Sequence, residues 1–162
     1  MPKKPKSWRE KLATANGLPK TMVIPAPTEV DALMRRVPRG KLTTVGDLQK
    51  ALARQHGTMV ACPMTTGIFA WIAAHAAEEA RAEGASDVTP YWRTLKTGGV
   101  INAKYPGGVA AQARALRAEG HRVVRKGREH VVAGFETALA DLGSRGRVSV
   151  ARARPPTPAN RA

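Results

Sequence analysis

Residues 90–108, Pro-Tyr-Trp-Arg-Thr-Leu-Lys-Thr-Gly-Gly-Val-Ile-Asn-Ala-Lys-Tyr-Pro-Gly-Gly, limit what this chain can fold into more than any other stretch. Two prolines and two glycine pairs make the segment turn-rich, so helical patterns must lie on either side of it and not run through it. It also sets Tyr91 and Trp92 beside Arg93 and Lys96. Loops of this kind tend to carry function. Aromatic rings next to cations and close-approach glycines suit a pocket for a flat polar ring near a phosphate chain. The other reading of the same residues is a loop that anchors the core, and both stand at this point.

The flanking periodicity predicts a mostly helical domain with small β elements. Thr28 followed three residues on by Asp31 has the form of a capping box, and Val30, Leu33, Met34 and Val37 then fall on one face of a helix that ends before Pro38. Thr44 and Asp47 repeat the cap ahead of Val45, Leu48 and Leu52, with Gly57 as the stop. Two short capped helices in tandem suggest a helix-turn-helix scaffold. Thr65-Thr66-Gly67 is expected to open a third, longer helix with Ile68, Phe69, Ile72, Ala73, Ala76 and Ala80 facing inward and Glu78, Glu79 and Glu83 facing solvent. Val109, Ala113 and Leu116 mark a further helix closed by Gly120. Residues 122–126 and 128–133 read as a hairpin around Gly127, a candidate basic wing, and Phe135, Leu139 and Leu142 as a last short helix.

Charge narrows the function. The chain of 162 residues has a formal net charge of +15, and such self-repulsion is best relieved by a polyanion, with nucleic acid as the default partner. Its one cysteine excludes an intramolecular disulfide and a multi-thiolate metal site. The four histidines form no ligand pattern with Cys62, so no metal or cofactor is expected. No apolar run reaches a membrane span, and no apolar core of a signal peptide follows Lys3, Lys4 and Lys6, which points to the cytoplasm, or to the nucleoid in a bacterium. No internal repeat, phosphate-binding loop or dinucleotide fingerprint is present. Residues 1–27 read as a basic arm, 28–143 as the domain, and 144–162, rich in arginine and proline without an acid, as a disordered flexible tail.

Pro90-Tyr91-Trp92-Arg93, the glycine turn after Lys96 and the Tyr105-Pro106-Gly107-Gly108 that follows resemble the active-site stretch of the O6-alkylguanine-DNA alkyltransferase family. Upstream, residues 37–48, Val-Pro-Arg-Gly-Lys-Leu-Thr-Thr-Val-Gly-Asp-Leu, resemble that family's entry to its helix-turn-helix, and the match runs from about Thr28 to His121. The resemblance implies a winged helix-turn-helix domain that binds duplex DNA through the minor groove, extrudes a base and accepts its alkyl group on a cysteine.

The departures decide which branch the chain is most like. Tyr91 stands at the acceptor cysteine and Trp92 at the activating histidine, while Arg93 is kept. Neither a phenol nor an indole replaces a thiolate and its base. The pattern is therefore similar to the cysteine-less alkyltransferase-like proteins, which bind lesions and recruit repair factors without catalysis. Val45 stands at the family's nucleotide-rotating tyrosine, and Met64 or Thr65 at its arginine finger. Apolar side chains also wedge between bases, a role open to Met64. On this resemblance Tyr91, Trp92, Arg93, Tyr105 and Gly107 line a lesion pocket, and Arg39, Lys41, Thr44, Met64, Thr65, Thr66, Gly67 and Lys96 hold DNA. The expectation is a non-enzymatic DNA-binding protein that recognises alkylated or distorted bases by nucleotide flipping and signals to repair proteins. A general nucleic-acid-binding or architectural protein on the same scaffold is the alternative, and an alkyl-accepting enzyme using Cys62 a third. Oligomeric state is not encoded in any pattern found.

Overall fold

The computed structural model describes residues 20–143 together with Ser7, Arg9 and Glu10. The basic arm falls mostly, and the arginine- and proline-rich tail wholly, outside the described residues.

Caps and glycines set the helix ends. Helix α1 spans Pro27–Arg35 with proline in its first turn. The Glu29 carboxylate accepts from the Ala26 amide at 2.7 Å, so the helix starts ahead of the expected Thr28–Asp31 box. Asp31 is used elsewhere: it pairs with Arg35 Nε at 3.0 Å and accepts from the Thr89 hydroxyl. Helix α2, Val45–His56, follows its cap as expected. Thr44 Oγ1 accepts from the Asp47 amide at 3.1 Å, and Gly57 closes the helix in the left-handed region. Helix α3 runs from Pro63 to Ala82, starting before the expected Thr65 because Pro63 fits the first helical position. At 20 residues it is about 30 Å long. Helix α4 is Gly108–Ala118, ended at Gly120 by the His121 amide reaching Leu116 O at 3.0 Å.

The β structure is three two-stranded pieces. Strand β1, Met22–Val23, pairs parallel with β3, Val60–Ala61, which holds the end of the arm beside the start of α3. Strand β2, Thr43–Thr44, pairs parallel with β4, Thr94–Leu95, with Thr43 opposite Thr94. This pairing ties the entry of α2 to the central stretch. Strands β5, Val123–Lys126, and β6, Glu129–Val132, form the expected antiparallel hairpin, and Val100 bridges to Val131. The last helix does not form. A single 3-10 turn, Phe135–Ala138, gives way to extended chain because Leu139 joins Leu42 in a parallel bridge, with Leu42 N donating to Ala138 O and Ala140 N to Leu42 O.

Two apolar clusters carry the packing. The first joins Val30, Leu33, Met34 and Val37 of the α1 region to Leu48, Ala51 and Leu52 of α2 and to Ala70, Ala73, Ala74 and Ala77 of α3. The second joins Leu42, Leu95, Ile101, Ala113, Leu116 and Val132. Trp92 packs against both. The inward face of α3 is thus its alanine stripe. Ile68 and Ile72, expected inside, are 46% and 42% exposed.

Candidate functional site

The turn-rich stretch folds back so that its 3-10 turn, Tyr91–Arg93, lies against both α3 and α4. Between these elements opens a cavity of about 670 Å³. Its walls come from the far end of α3 with Glu78 and Arg81, from Tyr91, Trp92 and Arg93, from Gly107, and from α4 with Arg114 and Glu119, while Arg39 reaches it from the loop before α2. Five of the expected residues, Arg39, Tyr91, Trp92, Arg93 and Gly107, therefore share one cavity.

Glu119 organises the inner wall. Its carboxylate accepts from Trp92 Nε1 at 2.9 Å, from the Gly40 amide at 3.2 Å and from Arg93 Nη2 at 2.8 Å, and the Arg93 Nη1 donates in turn to Val37 O at 2.7 Å. Burial alone would raise the Glu119 pKa, but hydrogen bonds from Arg93, Trp92 and Gly40, with the Arg93 charge, hold it below its ordinary value. Arg93 accordingly buttresses the wall and has little left for a phosphate. Gln112, fully buried, fixes the backbone behind it: its amide donates to Trp92 O at 3.1 Å and its carbonyl accepts from Asn102 N at 3.0 Å.

The aromatic rings stand edge to face. Tyr91 and Trp92 have centroids 5.5 Å apart at 77°, and Tyr91 and Tyr105 5.7 Å apart at 86°. Such rings offer one stacking wall, not a sandwich for a base. Tyr91 is 5% exposed and its hydroxyl lies 3.4 Å from Glu78 Oε2. Burial, then the Glu78 charge and hydrogen bond, push its phenol up, so it stays protonated and is no nucleophile. Tyr105 sits behind Tyr91, 2% exposed, with a hydroxyl that makes no hydrogen bond of ordinary geometry among the described residues, and it does not line the cavity as was expected. Burial raises its pKa, opposed by the Asn102 side chain. Gly107 is required where it stands: at φ 75° a Cβ there would lie 2.5 Å from Ala111 Cβ.

The residues expected to hold DNA divide by exposure. Lys41 and Lys96 are exposed, outside the cavity. Thr44 is buried and engaged with Asp47, its hydroxyl 2.7 Å from Oδ2, so it caps α2 and presents nothing outward. Thr66 is fully buried, its hydroxyl and amide both donating to Cys62 O at 2.8 and 3.1 Å, which removes it as a phosphate ligand. Thr65 is half-buried and its hydroxyl turns to the same carbonyl at 3.4 Å. Gly67 faces open space. Met64 is 73% exposed, but the helical rise puts it about 20 Å along α3 from Glu78, away from the cavity. From Pro63 to Ala80 helix α3 carries no lysine or arginine, and it presents Met64, Ile68, Trp71 and Ile72 to solvent. A helix face without cations is a poor phosphate clamp.

Cys62 caps α3 and lines no part of this cavity; hydrogen bonds from the Thr65 hydroxyl and amide hold its thiol below the ordinary value. Among the described residues no three His, Cys, Asp or Glu side chains gather to hold a metal, and no helix is long and apolar enough to cross a membrane.

Sequence reasoning missed Glu78, Arg81, Arg114 and Glu119. The helical pattern puts Glu78 on the solvent face with Glu79 and Glu83; those two are exposed, whereas Glu78 lines the cavity. Glu119 did leave a signal. An acid at the C-terminal end of α4 opposes the helix dipole, which favours a specific cationic partner.

No family model matches the chain, and no curated protein matches it. Among solved structures it is similar to S. pombe Atl1 in complex with damaged DNA containing O6-carboxymethylguanine, at 18% identity and a TM-score of 0.47, over 71% of this chain and 94% of that one. A second S. pombe ATL structure in complex with DNA shows 17% identity, the same TM-score and the same coverage.

Proposed function

We propose that this chain is a non-enzymatic DNA-binding protein that takes an extruded, damaged or mispaired base into the cavity beside Tyr91 and Trp92. One observation carries the reading: an open cavity of about 670 Å³ with an aromatic wall is rimmed by arginines, in a chain of net charge +15. Opening a base pair costs a few kcal/mol and least for a damaged or mispaired base, so a stacking wall selects lesions without chemistry. The resemblance of residues 90–108 to the alkyltransferase active-site stretch supports the same use, and a buried phenol at position 91 supports binding without alkyl transfer. On this reading helices α2 and α3 act as the helix-turn-helix and the β5–β6 hairpin as its basic wing. The exposed cations Lys41, Lys96, Lys126 and Arg128 meet phosphates, and Met64 with Ile68 presses an apolar edge into the minor groove.

The test is titration of duplexes with and without O6-methylguanine against the full chain and Trp92→Ala. Tighter binding of the lesion duplex, reduced in the variant, is expected; equal binding by the unaltered chain overturns the lesion-reading part. A second reading, sequence-indifferent binding of polyanions, is favoured by the cation-free start of α3 and the burial of Thr66. It predicts one affinity for all duplexes and a steep salt dependence.

A further inference from the structure

The charges around the cavity do not cancel. Four guanidinium groups, Arg39, Arg81, Arg93 and Arg114, face two carboxylates, Glu78 and Glu119. Arg93 is taken up by Glu119 and Arg81 by Glu78, with Nη1 at 3.5 Å from Oε2. Arg39 and Arg114 have no hydrogen-bond or ion-pair partner among the described residues. The two carboxylates differ as well. Both Glu119 oxygens accept from Arg93, and Trp92 and Gly40 add further bonds, whereas at Glu78 the donors from Tyr91 and Arg81 both fall on Oε2. No donor is found on Oε1 of Glu78, whose residue forms part of the cavity wall.

We infer that Glu78 selects the base, accepting a hydrogen bond from an exocyclic amino group through Oε1, while Arg39 and Arg114 take strand phosphates at the cavity mouth. The inference rests on the proposed function above and names its ligand class: a nucleotide with an amino-bearing base, held between phosphates. A carboxylate oxygen only accepts, so a carbonyl or an unsubstituted ring edge opposite it leaves the charge without a donor. Tyr91 and Arg81 approach Oε2 at 3.4 and 3.5 Å and leave Oε1 to the ligand. Guanidinium groups suit the mouth because their planar fork matches phosphate oxygens.

The experiment compares duplexes carrying O6-methylguanine or 6-methoxypurine, which differ only by the 2-amino group, with an undamaged duplex as reference. The full chain is expected to bind the amino-bearing lesion roughly tenfold more tightly, as one hydrogen bond to a charged group provides. Glu78→Ala is expected to bring that ratio to about one with little change in salt dependence, and Tyr91→Phe to keep most of it. Arg114→Ala is expected to lower the salt slope by about one and leave the ratio alone. Equal binding of the two lesions by the full chain, with both preferred over undamaged DNA, overturns the role of Glu78 while the proposed function stands. An unchanged ratio in Glu78→Ala does the same. If neither lesion is preferred, the proposed function falls and this inference with it. Should Glu78→Ala fail to fold, the ratio measured with the full chain still decides. Competition with free deoxyguanosine monophosphate tests whether the ligand is a nucleotide within a strand or a free one. Millimolar nucleotide is expected to leave the lesion complex intact, and displacement at micromolar nucleotide overturns the strand assignment.

Discussion

Arg93 meets Glu119 side-on, its Nε 3.1 and 3.0 Å from the two carboxylate oxygens and its Nη2 2.8 Å from Oε1. The pair is nearly enclosed, with side chains 14% and 6% exposed, and it joins the 3-10 turn to the end of α4 across 26 residues of sequence. The cavity wall depends on this one contact, because Trp92 Nε1 and the Gly40 amide converge on the same carboxylate.

Removing one partner should therefore be costly. Glu119→Gln leaves the Arg93 charge enclosed without its counterion, and the expected loss is about 3 kcal/mol at neutral pH, read by urea denaturation. The pH dependence has a definite sign. The Glu119 pKa is depressed in the folded chain, so its contribution is complete above the ordinary carboxylate range and is lost as pH falls through the folded value. The difference between the native chain and Glu119→Gln should accordingly shrink below about pH 4. A constant difference across that range would show that the charge on Glu119 is immaterial.

Glycine at two positions is expected to be irreplaceable for separate reasons. At Gly99, φ is 76° and a Cβ would lie 2.3 Å from Phe135 Cδ1, where the ring of the 3-10 turn covers the central stretch. Gly99→Ala should cost about 2 kcal/mol or more, partly relieved by Phe135→Leu. At Gly107 the obstacle is Ala111 Cβ, at the mouth of the cavity. Gly107→Ala should lower the melting temperature and disturb lesion binding, whereas Gly99→Ala should lower the melting temperature only.

The hairpin supplies a charge test that leaves the core untouched. Lys126 and Arg128 are exposed at its turn, while Arg125 Nε donates to Gly127 O at 3.1 Å. Replacing Lys126 and Arg128 by Ala should leave stability within about 0.5 kcal/mol. Affinity for every duplex should fall alike, and the salt slope by about two. A slope that does not move would place the DNA surface elsewhere.

What could be read from the chain beforehand follows from the range of each interaction. Thr44, Asp47 and Gly57 act within one helix turn, and α2 lies where they put it. Gly120 and the alternation around Gly127 likewise act locally, and the end of α4 and the hairpin follow. Helix α3 was legible in type but not in phase. Its first half is apolar nearly all round, so periodicity could not tell the alanine stripe, which packs on α1 and α2, from the Met64, Ile68 and Ile72 side that faces out. The parallel pairings of β1 with β3 and β2 with β4 are two residues each and join distant segments, below what alternation can register. For the site, the aromatic and arginine of residues 91–93 were legible as types. Their partners were not, because Glu78 and Glu119 are brought in by tertiary packing and look in sequence like surface acids.

Tyr105 offers the sharpest separation between core and pocket. The resemblance implies that it lines the lesion pocket, whereas the structure buries its hydroxyl behind Tyr91, without a hydrogen bond of ordinary geometry among the described residues. A buried hydroxyl with no hydrogen bond is a burden that phenylalanine removes while keeping the ring and its edge-to-face contact. Tyr105→Phe is therefore expected to leave stability unchanged or raise it by up to about 1 kcal/mol in thermal unfolding. Lesion affinity should not move, because the cavity is walled by Tyr91 and Trp92 and not by Tyr105. A variant as stable as the native chain that nonetheless loses its lesion preference would show that the bound state turns Tyr105 toward the base and that the cavity wall rearranges on binding.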